Sequence, residues 1–120
     1  QEQTDKNFET IVIDNASQEV DFNNLRQNIG NAILIRNDKN FGFSGGNNIG
    51  IKKALESGSD WVILLNNDTW VESGFIMRLK PVLAQKEGIV GLPLNEGGQI
   101  AYCGKPQWLK ATLSHIHTKN

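Results

Sequence analysis

A five-residue apolar run, Trp61-Val62-Ile63-Leu64-Leu65, stops abruptly at two amides, a carboxylate and a hydroxyl, Asn66-Asn67-Asp68-Thr69. A run of this length without alternation fits a strand buried on both faces, and by itself it fits a buried helix segment as well. Read as a strand, it puts Asn66, Asn67 and Asp68 at its carboxyl end, the edge where open α/β sheets bind ligands. Oxygen-bearing side chains at such an edge suit a hard cation or a sugar hydroxyl. The same residue types also make ordinary turns and helix caps, so the tetrapeptide alone leaves both readings open.

With 120 residues, 38% of them hydrophobic, and a formal net charge of −1, the chain can bury one core and reads as a single domain over 1–120. Its charge balance argues against nonspecific nucleic-acid binding and is not that of an acidic solvating tail. The single Cys103 cannot form an intramolecular disulfide, and no Cys/His spacing suggests zinc, so a reducing compartment, the cytoplasm, is the expected location. Cys103 itself reads as a buried or half-buried spectator. No apolar run approaches the roughly 20 residues that span a bilayer, and no signal peptide opens the chain. Attachment to the inner face of a membrane through another part of the protein stays open.

Residues 1–9 are polar and without periodicity, a loop or frayed lead-in. Thr10-Ile11-Val12-Ile13 is again apolar and β-branched, and it ends at Asp14-Asn15-Ala16-Ser17. The pattern of the first run thus recurs: a buried strand with a carboxylate and an amide at its exit. A helix is expected over 20–28, with Phe22, Leu25 and Ile29 as its apolar stripe and Gly30 ending it. Ala32-Ile33-Leu34-Ile35 reads as a second buried strand.

The loop that follows, 37–46, has the sequence NDKNFGFSGG and opens a helix running from Asn47 to Leu55. Gly42, Gly45 and Gly46 permit backbone angles closed to other residues and let another surface approach. A helix starting there aims free N–H groups and the positive end of its dipole at the loop, which suits a phosphate. The spacing matches neither the Walker loop nor the dinucleotide fingerprint, and a plain glycine-rich turn explains it equally well. Phe41 and Phe43 read as core anchors.

Gly58 closes that helix and leads to the 61–65 run. A further helix is expected over 72–85, kinked or split by Pro81, and 88–92 as another buried strand. The order β, α, β, α, β, α, β predicts an α/β fold over 10–92: three layers, a mostly parallel sheet with helices on both faces. Asn95-Glu96-Gly97-Gly98 signals a turn, and 99–103 with 108–114 would form a C-terminal β-hairpin around Gly104-Lys105-Pro106, so 93–120 is hairpin and tail. His115 and His117 alternate like strand residues and are given no role.

Three blocks, IVIDNAS, NFGFSGGNNIGIKKAL and WVILLNNDT, stand in that order with α/β spacing. Together they resemble the nucleotide-sugar-binding half of inverting glycosyltransferases of family 2, with the GT-A (nucleotide-diphospho-sugar transferase-like) fold, particularly the rhamnosyltransferase-like members. The resemblance covers 11–91. It implies a nucleotide-diphosphate sugar donor contacted by Asp14, Asn15, Ser17, Gly45, Gly46, Asn47 and Asn67, with Asp14 on the base or ribose. Asn66-Asn67-Asp68 takes the place of the family's D-x-D motif, so Asp68, with Asn66, is expected to hold the Mg²⁺ or Mn²⁺ that bridges the donor phosphates. Asn47 stands where many relatives carry an arginine, which puts a charged contact there in doubt.

Two departures from the family shape the remaining expectations. Relatives begin with a strand and helix ahead of the IVIDNAS strand, and their acceptor-binding half and acidic catalytic base lie beyond the D-x-D region. This chain therefore reads as a truncated part of an enzyme acting on a glycan or lipid-linked acceptor, as in cell-surface polysaccharide synthesis, with no base nominated among its own residues. A missing interior strand leaves unpaired edges, so self-association is expected. The alternatives are a noncatalytic nucleotide-sugar-binding or assembly module and, more weakly, a sugar nucleotidyltransferase, whose basic signature motif the chain lacks.

Overall fold

The computed structural model describes residues 2–107 and 112–117, with side chains for 2–95 and 97–100. They form two compact units, Gln1–Pro81 and Val82–Asn120.

In the first unit, β1 (Ile11–Asp14) and β2 (Ile33–Arg36) pair in parallel, Ile11 opposite Ile33 and Asp14 opposite Arg36. Both are the short branched-apolar runs expected to be strands, and parallel pairing follows because a helix connects them. That helix, α1 (Glu19–Asn28), half-buries Phe22 and Leu25, and just past its end Ile29 is also half-buried. Gly30 follows at φ 64°, the left-handed position that ends many helices. Helix α2 (Gly42–Glu56) packs on β1, where Gly50 comes so close to Ile13 that a Cβ would lie 3.4 Å from its Cγ1. Its C-terminus is a Schellman motif: Ser59 N–H donates to the Ala54 carbonyl at 3.1 Å and Gly58 N–H to Leu55 at 3.0 Å, with Gly58 at φ 80°.

The glycine-rich segment departs from the expected loop, because the helix begins at Gly42 and takes in Gly45 and Gly46. Asn40 explains the early start. Its side-chain oxygen accepts the Gly42 N–H at 2.8 Å and satisfies one of the donors that a helix start leaves open.

The lead-in is not frayed. Gln3, 8% exposed, donates from Nε2 to the Glu72 carbonyl at 2.7 Å and accepts the Ile76 N–H on Oε1 at 3.1 Å. One amide therefore caps the start of α3 (Phe75–Leu83) from a distant segment, while Thr4 N–H donates to the Ser73 carbonyl and Lys80 pairs with Asp5 at 2.6 Å. This helix is shorter than the 72–85 expected and is not split. Pro81 falls in its last turn, where little helix remains to be disrupted.

The sheet is smaller than expected. Among the described residues, 61–65 and 88–92 have no ladder, and the sheet of the first unit is the β1–β2 pair. Ile63, Leu64 and Leu65 are 37–52% exposed and Ile89 fully so, because a strand without a partner cannot bury its backbone polar groups and stays outside the core. The α/β, parallel character stands; helices on both faces of a broad sheet do not follow from these elements. Leu79 and Ala54 are the buried apolar side chains, and no large one is fully enclosed among the described residues.

The second unit is an antiparallel meander of β3 (Leu94–Glu96), β4 (Gln99–Gln107) and β5 (Thr112–His117). Gly97 and Gly98, at φ 59° and 90°, form the two-residue turn between β3 and β4, as tight hairpins require. Gly104-Lys105-Pro106 is not the turn of the second hairpin. It lies within β4, opposite His115, Ser114 and Leu113, and Pro106 is accommodated because β3 reaches only as far as Ala101 and leaves that edge of β4 open. Trp108 and the side chains of Cys103, His115 and His117 lie outside the described residues.

Candidate functional site

The exits of β1 and β2 meet the first turns of α2. Asp14, the last residue of β1, is 4% exposed although ionisable. Its Oδ1 accepts the Ser17 N–H at 3.3 Å, while Oδ2 lies 3.4 Å from Arg36 Nε and accepts no hydrogen bond. The pair is thus held by charge across neighbouring strands, with Oδ2 facing the guanidinium but not hydrogen-bonded to it. Arg36 also donates to the Ser17 carbonyl at 3.2 Å, pairs with Glu19 at 2.8 Å and lies 4.0 Å over the Phe22 ring. A planar guanidinium can serve all these partners at once, which a lysine could not. Between these anchors Ala16 adopts φ 62°, a conformation that costs a non-glycine residue about 1–3 kcal/mol and tends to mark ligand-binding loops.

A second set of contacts joins this loop to α2. Asn15 Nδ2 donates to the Gly42 carbonyl at 3.0 Å, and Asn37 Nδ2 donates to Asn15 Oδ1 at 2.7 Å. Asn37 is itself buried, and its N–H donates to the Asp14 carbonyl at 2.8 Å. Gly46 closes the box, since a Cβ there would come within 2.8 Å of Asn15 Nδ2.

The structure brings Asp14, Asn15, Ser17 and Gly46 together. Gly45 lies in the same turn of α2 but faces Phe41, whose Cβ would be 2.6 Å from an added Cβ, and Asn47 is half-buried further along the helix. Helical hydrogen bonding leaves the free first-turn donors at Phe43 and Ser44, not at the two glycines singled out in the sequence. Asn66, Asn67 and Asp68 are exposed on a turn closed by the Thr69 N–H on the Asn66 carbonyl at 3.0 Å. None of the hydrogen bonds above reaches this turn from the Asp14 cluster.

Among the described residues no three His, Cys, Asp or Glu side chains converge. A magnesium-type site does not need such a cluster, because one or two side-chain oxygens suffice when a substrate's phosphates supply the rest. The exposed Asp68 carboxylate and Asn66 amide oxygen fit that donor set. Arg36 and Asn37 went unnoticed in the sequence, although the signal was present: a cation and an amide follow the AILI run just as a carboxylate and an amide follow TIVI.

The family model for glycosyl transferase family 2 matches residues 1–116. The chain belongs to that family. No curated protein and no solved structure matches it. The match extends beyond the 11–91 of the sequence resemblance at both ends, taking in the lead-in that caps α3 and the C-terminal strands. Membership in glycosyl transferase family 2 gives the chain an α/β GT-A-like fold and glycosyl transfer as its activity class. It implies a nucleotide-sugar donor and an acceptor, in a family that generally uses a divalent metal. Among the described residues no helix is long and apolar enough to cross a membrane.

Proposed function

We propose that the shared exit of β1 and β2, with the first turn of α2, binds the nucleoside diphosphate of an activated sugar, which the protein transfers with inversion to a glycan or lipid-linked acceptor. The observation that carries this reading is the convergence of 14–17, 36–37 and 42–46 on one edge, in a chain of this family. Asp14, whose buried Oδ2 accepts no hydrogen bond and faces Arg36, is assigned to the base or ribose in this reading, and Asn15 and Ser17 flank it. The first turn of α2 offers N–H donors and its positive dipole end to phosphate oxygens. Asn67 and Asn47 complete the donor contacts in this reading.

Asp68, with the Asn66 side-chain oxygen, would hold Mg²⁺ or Mn²⁺, which neutralises the charge developing on the departing diphosphate. The protein's own part is to orient the donor so that its anomeric carbon faces an incoming hydroxyl.

Calorimetric titration of UDP, GDP and dTDP with and without Mn²⁺ tests the reading. Saturable, metal-strengthened binding of one nucleotide, weakened in Asp68→Ala, is expected. Absence of binding to all three with Mn²⁺ present refutes it.

The exposed Ile63, Leu64, Leu65 and Trp70, in a unit whose two strands each keep an unpaired edge among the described residues, favour self-association and with it an assembly role. Sedimentation across a concentration series decides this, since a monomer throughout rejects it.

A further inference from the structure

We propose that Asn37 is a positioning residue for the donor site: its side-chain amide locks Asn15 onto the first residue of α2 and so fixes where the open N–H groups of that helix lie relative to the loop after β1. The proposal rests on the reading of this edge as the donor site.

Chemistry sets the polarity of the relay. The Gly42 carbonyl can only accept, so Asn15 must turn its NH₂ group toward it, as it does at 3.0 Å. The Asn15 oxygen then faces Asn37, which must donate, as it does at 2.7 Å. Asn37 has little freedom to do otherwise, being 8% exposed with its N–H on the Asp14 carbonyl at 2.8 Å. The remaining side of the Asn15 amide is closed by Gly46, where a Cβ would lie 2.8 Å from Nδ2 and 3.3 Å from Oδ1. Asn15 therefore has one orientation, which the Asn37 amide holds. The same two amides tie the end of β2 to the loop carrying Asp14, Ala16 and Ser17. A change at 37 consequently reaches the base-contacting loop and the phosphate-facing helix start together.

Asn37→Asp separates this role from general damage. Its carboxylate opposes the Asn15 oxygen acceptor to acceptor, and flipping Asn15 only moves the conflict to the Gly42 carbonyl. Protonation restores a donor at that point, and an acid facing an acceptor titrates above its ordinary value of about 3.9. Two readouts are taken as ratios to the native chain between pH 7 and about pH 4.5, the span that brackets such a raised carboxyl: amide exchange over 42–46, read at Gly42, Gly45 and Gly46, whose N–H groups are hydrogen-bonded, and affinity for the nucleotide bound with Mn²⁺. The charged neighbours Asp14, Arg36, Asp38 and Lys39 are common to both proteins, so the ratios cancel the pH dependence they have on their own and leave that of the new carboxyl with its coupling to them.

At pH 7 exchange over 42–46 is expected to be roughly ten-fold faster and nucleotide affinity roughly ten-fold weaker, the equivalent of one or two lost hydrogen bonds. Both should return toward native on acidification. Asn37→Ala, which has no proton to regain, should show the same loosening at every pH. Native-like exchange at pH 7, or a defect in Asn37→Asp that ignores pH, overturns the proposal. If exchange responds as expected and native binding is present but unchanged by the variant, the claim on the donor site is overturned. If the native chain binds no nucleotide, the donor-site reading falls, and the exchange arm still decides whether Asn37 sets the helix start.

Discussion

Replacing Gly46 by alanine tests the packing of the site through a substitution that usually helps a helix. In an exposed helix interior, alanine is favoured over glycine by about 0.8–1.0 kcal/mol. Gly46 lies inside α2 without a positive φ, so its backbone permits a gain of that size even though the residue is buried. The added Cβ would, however, sit 2.8 Å from Asn15 Nδ2. Heavy atoms rest about 3.5 Å or more apart, so Asn15 must retreat by roughly 0.7 Å, enough to break hydrogen bonds that depend on its present place. Those bonds are the ones to the Gly42 carbonyl and from Asn37, at 3.0 and 2.7 Å. At about 1 kcal/mol each, their loss outweighs the helix gain and leaves Gly46→Ala about 1 kcal/mol less stable. Gly50→Ala is the matched control in the same helix. Its Cβ would meet Ile13 at 3.4 and 3.5 Å, close to ordinary contact, so the propensity gain should survive. Urea denaturation of the two variants should therefore separate them by about 2 kcal/mol, a factor of about 30 in the folding equilibrium. Equal stabilisation by both alanines would show that Asn15 does not occupy the space above Gly46, and the relay argument would go with it.

Gln3→Ala should cost about 1 kcal/mol in the same assay, the usual worth of a helix N-cap, because Ile76 loses its acceptor; an unchanged midpoint would return 1–9 to the status of a frayed lead-in. The hydrogen bond from Lys80, and after it the Asn7 N–H, holds the Asp5 carboxyl below its ordinary value. Its stabilisation is thus present above about pH 4 and is lost as pH falls through the lowered value, so Asp5→Asn should flatten the acid limb of the stability curve, and parallel curves would argue against this. Ala16→Gly should stabilise by about 0.5–1 kcal/mol, the relieved left-handed strain less the entropy glycine adds to the unfolded chain, with loss of stability as the contrary result. In the full-length enzyme, Asp68→Ala should lower donor-dependent sugar transfer by roughly two orders of magnitude or more, since metal neutralisation of a leaving diphosphate is worth several kcal/mol; full transfer would remove Asp68 from the mechanism.

What could be read from the chain, and what could not, divides along local and non-local physics. TIVI and AILI fold as parallel strands because each finds the other, and Phe22, Leu25 and Ile29 half-bury where helical spacing put them. WVILL is as apolar and has no ladder partner among the described residues, so its burial was never a property of those five residues alone. The Gln3 cap on α3 was illegible for the same reason. Nothing local marks a glutamine as the acceptor for an N–H that lies 73 positions away.

The site shows the same division in finer grain. Its chemistry was legible at strand exits: Asp14, Asn15 and Ser17 stand where a sheet edge exposes polar groups, and Gly46 is small because Asn15 approaches it. Glycine ordinarily suggests backbone freedom, yet the requirement at Gly46 is space, since its backbone is helical and only a side chain is forbidden. In the sequence Asn37 looks like any loop amide, because an amide's part in a relay depends on the acceptor at the far end, here the Gly42 carbonyl. Once that carbonyl is in place, every amide behind it has a required orientation. Three residues from three segments then behave as one unit, and their substitutions should be non-additive: Asn15→Ala combined with Asn37→Ala should cost little more than either alone.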